Sequence, residues 1–184
     1  MSMKLSVKLL IVCLLVVAVA CSSMLKVYAQ DDTLTDEQIG SIRNNCVSIK
    51  NTLNQLHASD ALLRVNRGQL YESISTKLMD QFNSRLANNN FDSSNFVSTS
   101  VGYESMLNTF RSDYKSYESK LSAAMDIDCS KQPVAFYDAV SSARVKRKQV
   151  HDDVVSLNQY LDQYETLISQ FEKDFITTAD RLKK

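Results

Sequence analysis

Gly40, Gly68, Gly102 and Pro133 are the only glycines and the only proline in this chain of 184 residues. A β-sandwich or barrel needs a turn about every 8–12 residues, and those turns rest mainly on these two residue types. Their scarcity leaves long helices, and the apolar spacing agrees. Thr35 and Gln38 have the spacing of a capping box. From there Ile39, Ile42, Cys46, Ile49, Leu53 and Leu56 advance by threes and fours, as in a heptad seam. The seam continues through Asp60, Leu63, Arg67, Leu70 and Ile74, then moves by fours through Leu78, Phe82 and Leu86 to the run Asn88, Asn89, Asn90. This pattern predicts a first helix over about residues 36–88.

Tyr103, Leu107, Phe110, Tyr114, Tyr117, Leu121 and Ala124 define a second seam, for a helix over about 98–125. Pro133 suits the first turn of a third, over about 134–181. Its seam runs Phe136, Val140, Ala143, Arg147, Val150, Val154, Leu157, Leu161, Tyr164, Ile168, Phe171 and Phe175. Three such helices with short links predict an all-α fold, an elongated antiparallel three-helix bundle of coiled-coil type spanning residues 30–184. In the expected chain path the third helix runs parallel to the first, and the first turns of helix one, residues 35–50, project as an arm.

The N-terminus reads as an export signal. Lys4 and Lys8 precede an apolar run from Leu9 to Ala20, and Val27-Tyr28-Ala29 offers a cleavage site after residue 29. Two other fates stay open: an uncleaved membrane anchor over Leu9 to Leu25, or lipidation at Cys21, since Ala18-Val19-Ala20-Cys21 resembles a lipobox. All three give an extracytoplasmic protein, secreted or at the cell envelope. Loss of residues 1–29 removes Lys4, Lys8 and Lys26 and no acid, so 21 − 3 = 18 basic residues face 21 acidic ones, a net charge of −3. That balance excludes nucleic acid as the expected partner and leaves membrane contact only through an uncleaved or acylated N-terminus. The segment that remains keeps two cysteines, Cys46 and Cys129, which in an oxidising compartment predict one disulfide.

Polar residues interrupt the seams at one height. Arg67 and Arg147 occupy core-type positions, and in the register inferred from sequence they approach each other. Two buried guanidiniums need acids, because an unpaired buried charge is disfavoured by several kcal/mol. Asp60 and Glu72 on helix one, and Tyr114, Tyr117 and Glu118 on helix two, are available. The expectation is a mid-bundle polar layer. It reads either as an internal device that sets helix register or as an anion or small-molecule site between helices.

The segments Arg64-Val65-Asn66-Arg67-Gly68, Tyr71-Glu72, Phe110-Arg111, Tyr114 and Tyr117-Glu118 resemble parts of uncharacterised exported all-helical proteins of small-genome, host-associated bacteria of the candidate phyla. The resemblance implies a bacterial exported helical protein and no particular activity.

No catalytic signature stands out. His57 and His151 flank their seams, Glu-x-x-His is missing, and no serine sits in a Gly-x-Ser-x-Gly elbow. The acids Asp152 and Asp153 and the basic run Arg144 to Lys148 read as solvated helix faces. The expected function is that of a noncatalytic structural or interaction module, with no cofactor or metal. Its expected partner is another envelope protein or a second copy. The alternative is an extracytoplasmic anion-binding protein using the polar layer.

Overall fold

The computed structural model describes residues 34–182, all of them helical or in short connections, with no strand. Residues 1–29, where a signal or anchor is expected, and the lipidation candidate Cys21 lie outside the described residues. No helix among those described is long and apolar enough to cross a membrane. The elements are α1 (Asp36–Asn44), α2 (Cys46–Ser73), a π-helical segment (Ile74–Met79), α3 (Asp80–Asn88), α4 (Ser94–Asp126) and α5 (Pro133–Leu182).

Local chemistry explains these boundaries. Thr35 caps α1 through a reciprocal box, its Oγ1 accepting from Gln38 N at 3.3 Å while its own N–H donates to Gln38 Oε1 at 2.9 Å. The single helix expected over 36–88 is interrupted at Asn45 (φ −103°, ψ 11°), whose Nδ2 donates to Ser41 O at 2.9 Å. A short amide that bonds nearby backbone competes with the helical ladder. At the other end Asn90 takes a left-handed φ of 59°. Phe91 N then bonds Leu86 O and Asn90 N bonds Ala87 O, the two bonds of a Schellman stop. Helix α4 starts four residues earlier than expected because Asp92 Oδ1 accepts from both Ser94 N and Ser94 Oγ. Pro133 opens α5, after a turn in which Asp128 Oδ1 receives the Ser130 and Lys131 N–H groups.

One disulfide, Cys46–Cys129, joins the start of α2 to that turn, with Cα atoms 5.5 Å apart. Both sulfurs are buried beside Phe136, with Ile42, Ile49, Leu53, Ile127 and Val140 around them. Ile42 and Ile49 are therefore covered, and α1 makes close backbone contacts with α5. This corrects the expected projecting arm. The staple holds the foot of α5 level with the foot of α2, so α1 has a neighbour.

Contacts above the staple follow a regular order. As residue numbers rise along the first helical stretch, partners on α4 fall: Asp60 meets Tyr117, Tyr71 meets Tyr103, and Asn83 meets Ser100. Partners on α5 rise instead, from Arg147 opposite Asp60 to Tyr164 opposite Met79 and Asn83. Helices α4 and α5 lie closest together, and a Cβ on Gly102 would fall 2.5 Å from Tyr160 Cε1. By contrast, α2 packs on α4 and has no Cα within 8 Å of α5.

The first seam also departs from its expected course. Leu63, Leu70 and Leu78 are at least half exposed, while Tyr71, Ser75, Met79 and Asn83 are buried. Residues four apart drift around an α-helix, but the wider i→i+5 turns of a π segment accommodate the extra residue. Ile74–Met79 thus keeps the run from Tyr71 to Asn83 on the inner face.

Closing an 83-residue separation removes entropy from the unfolded chain. Replacing both Cys46 and Cys129 by Ala is expected to lower the unfolding free energy by about 2–4 kcal/mol. Urea denaturation of the two forms checks this through a lower midpoint for the variant.

Candidate functional site

Asp60 is the centre of the polar cluster. Fourteen residues separate it from Cys46, and fourteen separate Arg147 from Pro133 (60 − 46 and 147 − 133). Two helices rising from the staple therefore bring these side chains to the same height, about 21 Å up. Arg147 donates from Nε to Asp60 Oδ2 at 2.9 Å and from Nη2 to Oδ1 at 3.1 Å, a bidentate fork. Tyr117 Oη donates to the same Oδ2 at 2.7 Å. Burial acts to raise the Asp60 pKa, but the hydrogen bonds from Arg147 and Tyr117 and the Arg147 charge outweigh it. The carboxyl is held below its ordinary range. Burial and the Asp60 carboxylate push the Tyr117 hydroxyl well above its own.

The remaining residues of the expected layer are dispersed. Arg67 does not enter the cluster. It is exposed, because its side of α2 faces an open groove towards α5 and no packed helix. The register inferred from sequence set Arg147 opposite Arg67, seven residues too high. The shift arises because the staple aligns Pro133 with Cys46 itself. Glu72 pairs with Arg111 on a half-exposed surface. Glu118 faces His57 across 3.9 Å, also near the surface. Tyr114 packs edge-on to Tyr117, with ring centroids 5.9 Å apart, and the Arg64 guanidinium lies over the Tyr114 ring, 5.1 Å from its centroid. Cys46 and Cys129 are bonded to each other, as described above.

Between α2 and α5 this arrangement leaves a groove of about 630 Å³. Asp60, Tyr117 and Arg147 line one part of it, and Arg64, Arg67 and Arg144 reach it from either side. The hydroxyls of Tyr71 and Tyr114, both on lining residues, are buried without a hydrogen-bond partner. In this groove cationic, phenolic and apolar groups converge. No group of three His, Cys, Asp or Glu side chains there or elsewhere among them could hold a metal ion.

A second polar network escaped the sequence reading. Tyr164 Oη lies 2.7 Å from Asn83 Oδ1 and 3.2 Å from Met79 O, and Asn83 Nδ2 donates to Ser100 Oγ at 2.7 Å. Burial pushes the Tyr164 hydroxyl up to about 12. The spacing Tyr71, Ser75, Met79, Asn83 was the available signal, but Ser and Asn at those positions hid it. Asp153 was misjudged as solvated. It is 8% exposed, and its Oδ2 has no partner among the described residues. Burial first, then the charges of Asp113 and Asp152, raise its pKa.

Comparison with protein-family models, with curated proteins and with solved structures finds no match. The geometry alone must supply the functional argument.

Two pH-dependent outcomes follow from the opposite shifts of these two acids. A depressed folded-state pKa gives Asp60 a stabilising effect that is present above the unfolded carboxylate value near 4 and is lost as pH falls through the folded value. Arg147→Leu should therefore lower stability at pH 7 by about 2 kcal/mol, less than for a fully enclosed pair because half of the Arg147 side chain meets water. Urea midpoints at pH 7 and pH 3 should show the deficit shrinking in acid. Asp153 has the opposite sign, with stability present at low pH and lost as pH rises through its raised folded value. Asp153→Asn should accordingly gain about 1 kcal/mol at pH 7 and nothing at pH 3, measured in the same titrations.

Proposed function

We propose that this chain is an exported, noncatalytic structural or interaction module, an elongated antiparallel three-helix bundle acting at the cell envelope or outside the cell. The observation supporting export is the buried Cys46–Cys129 bond, a linkage that persists in oxidising compartments and is rare where thiols are kept reduced. The reversed order of partners on α4 and the matched order on α5 support the antiparallel path. A 50-residue α5 measures about 75 Å, which offers a long lateral surface for a small protein.

The polar cluster fits a structural part in this reading. The Asp60 carboxylate receives all its strong donors from the chain itself, and Arg147 spends its fork on that carboxylate. A polar contact at one core level disfavours slipped alignments of the helices, the best-attested use of such residues. Apolar side chains at Val47, Leu62, Val65 and Val101 remain more than half exposed and give the lateral faces an adhesive character.

Crosslinking the protein in its native cells, followed by intact-mass and peptide analysis, tests the proposal. The expected sample comes from the extracytoplasmic fraction, begins near Gln30, carries an oxidised cysteine pair, and is joined to a protein partner or a second copy. Recovery from the cytosol with both thiols free would overturn it.

A further inference from the structure

The groove between α2 and α5 is an unusual electrostatic spot for this chain. Its lining holds five permanent cations (Arg64, Arg67, Arg144, Arg147 and Lys148) and one acid, Asp60, so its formal charge is 5 − 1 = +4. The whole chain sums to zero, with 21 basic and 21 acidic residues. Arg147 is occupied by Asp60 and Lys148 by Asp152, at 2.7 Å. Arg64, Arg67 and Arg144 have no ion-pair partner among the described residues. Arg64 and Arg67, one turn apart on α2, repel each other, and an oxyanion between them would relieve that repulsion while using the guanidinium forks.

The other half of the groove is apolar. Tyr71, Phe110, Val150 and Val154 form this part of the wall, and Leu63 stands half exposed beside it. The volume, about 630 Å³, falls within the roughly 300–1,000 Å³ usual for small-molecule sites. Tyr71 and Tyr114 are buried to more than nine-tenths, and each keeps a hydroxyl with no partner, although such groups in a closed core almost always find one. Exposed charge alone would not assemble this combination of free cations, unsatisfied phenols and an apolar wall.

The geometry points to a binding site for a small amphiphile, a carboxylate or phosphate headgroup on an apolar body, with the head held by Arg64 and Arg67 and the body laid against Phe110, Val150 and Val154. The site adjoins the Asp60 cluster and does not compete with it, because the headgroup takes guanidiniums that carry no ion pair. It also goes beyond the proposed interaction function, since it requires neither a protein partner nor a particular anchoring of the N-terminus.

Isothermal titration of the disulfide-bonded protein with decyl phosphate and with decanoate, below their micellar concentrations, tests the site. One saturable equivalent is expected for at least one of them, and their relative affinities identify the headgroup. The variant Arg67→Ala changes one exposed side chain and should melt as the parent does, yet bind about tenfold or more weakly. Should that variant melt lower, Arg67→Gln, with the same expected direction of affinity loss, serves in its place. No saturable binding of either amphiphile overturns the proposal, as does unchanged affinity in the variants. Equal binding of inorganic phosphate would remove the apolar wall from the argument, and equal binding of decyltrimethylammonium would remove the arginines. Either result overturns it. Sedimentation with anionic phospholipid vesicles that is stronger than amphiphile binding and insensitive to both substitutions would assign the charge to a membrane surface, and so also overturn it.

Discussion

The bond between Cys46 and Cys129 determines which residues can meet in this protein. It sets the starts of α2 and α5 at a common level, and everything above inherits that level by helical rise. Asp60 and Arg147, each fourteen residues along its helix from Cys46 and Pro133, arrive together. Tyr117 lies twelve residues before Cys129 (129 − 117) and reaches them from the remaining side. The charged cluster then acts as a second pin. A slip by one turn would leave the Asp60 carboxylate buried without its donors, a state disfavoured by several kcal/mol.

Between these two pins and the upper core the molecule is open on one side. Helices α4 and α5 approach closely enough for Gly102 to lie against Tyr160, and α2 lies on α4. Yet α2 and α5 make no backbone approach, and the long Arg147 side chain spans the interval to Asp60. The groove is the direct result. Higher up, the π segment turns Ser75, Met79 and Asn83 inward, and the Tyr164–Asn83–Ser100 network and the aromatic cluster around Phe82, Phe96 and Phe171 close the interior again. Packing is thus tight at both ends and loose in the middle, where Arg64 and Arg67 line the groove.

These features belong together functionally. A covalent staple and a saturated ion pair suit a rod that keeps its alignment outside the reducing cytosol, as the proposed module requires. The groove with guanidiniums free of ion pairs lies between two helices joined below by the disulfide core and by the Asp60–Arg147 fork.

The all-helical class and the cysteine pair were legible in the sequence because they depend on local or countable properties: almost no glycine or proline, three-and-four spacing, and two cysteines after residue 29. Asp60, Tyr117 and Arg147 were visible as polar interruptions of apolar seams. Which polar residues pair was not, since Arg67, Glu72 and Glu118 interrupt or flank the same pattern and end elsewhere. Pairing depends on axial register, and an error of two turns in the link before α5 moved Arg147 from Asp60 to Arg67. The π segment, the burial of Asp153 and the groove are likewise tertiary decisions. Periodicity reports which side of a helix is apolar, whereas the distance between two helices is set by every other contact that holds them.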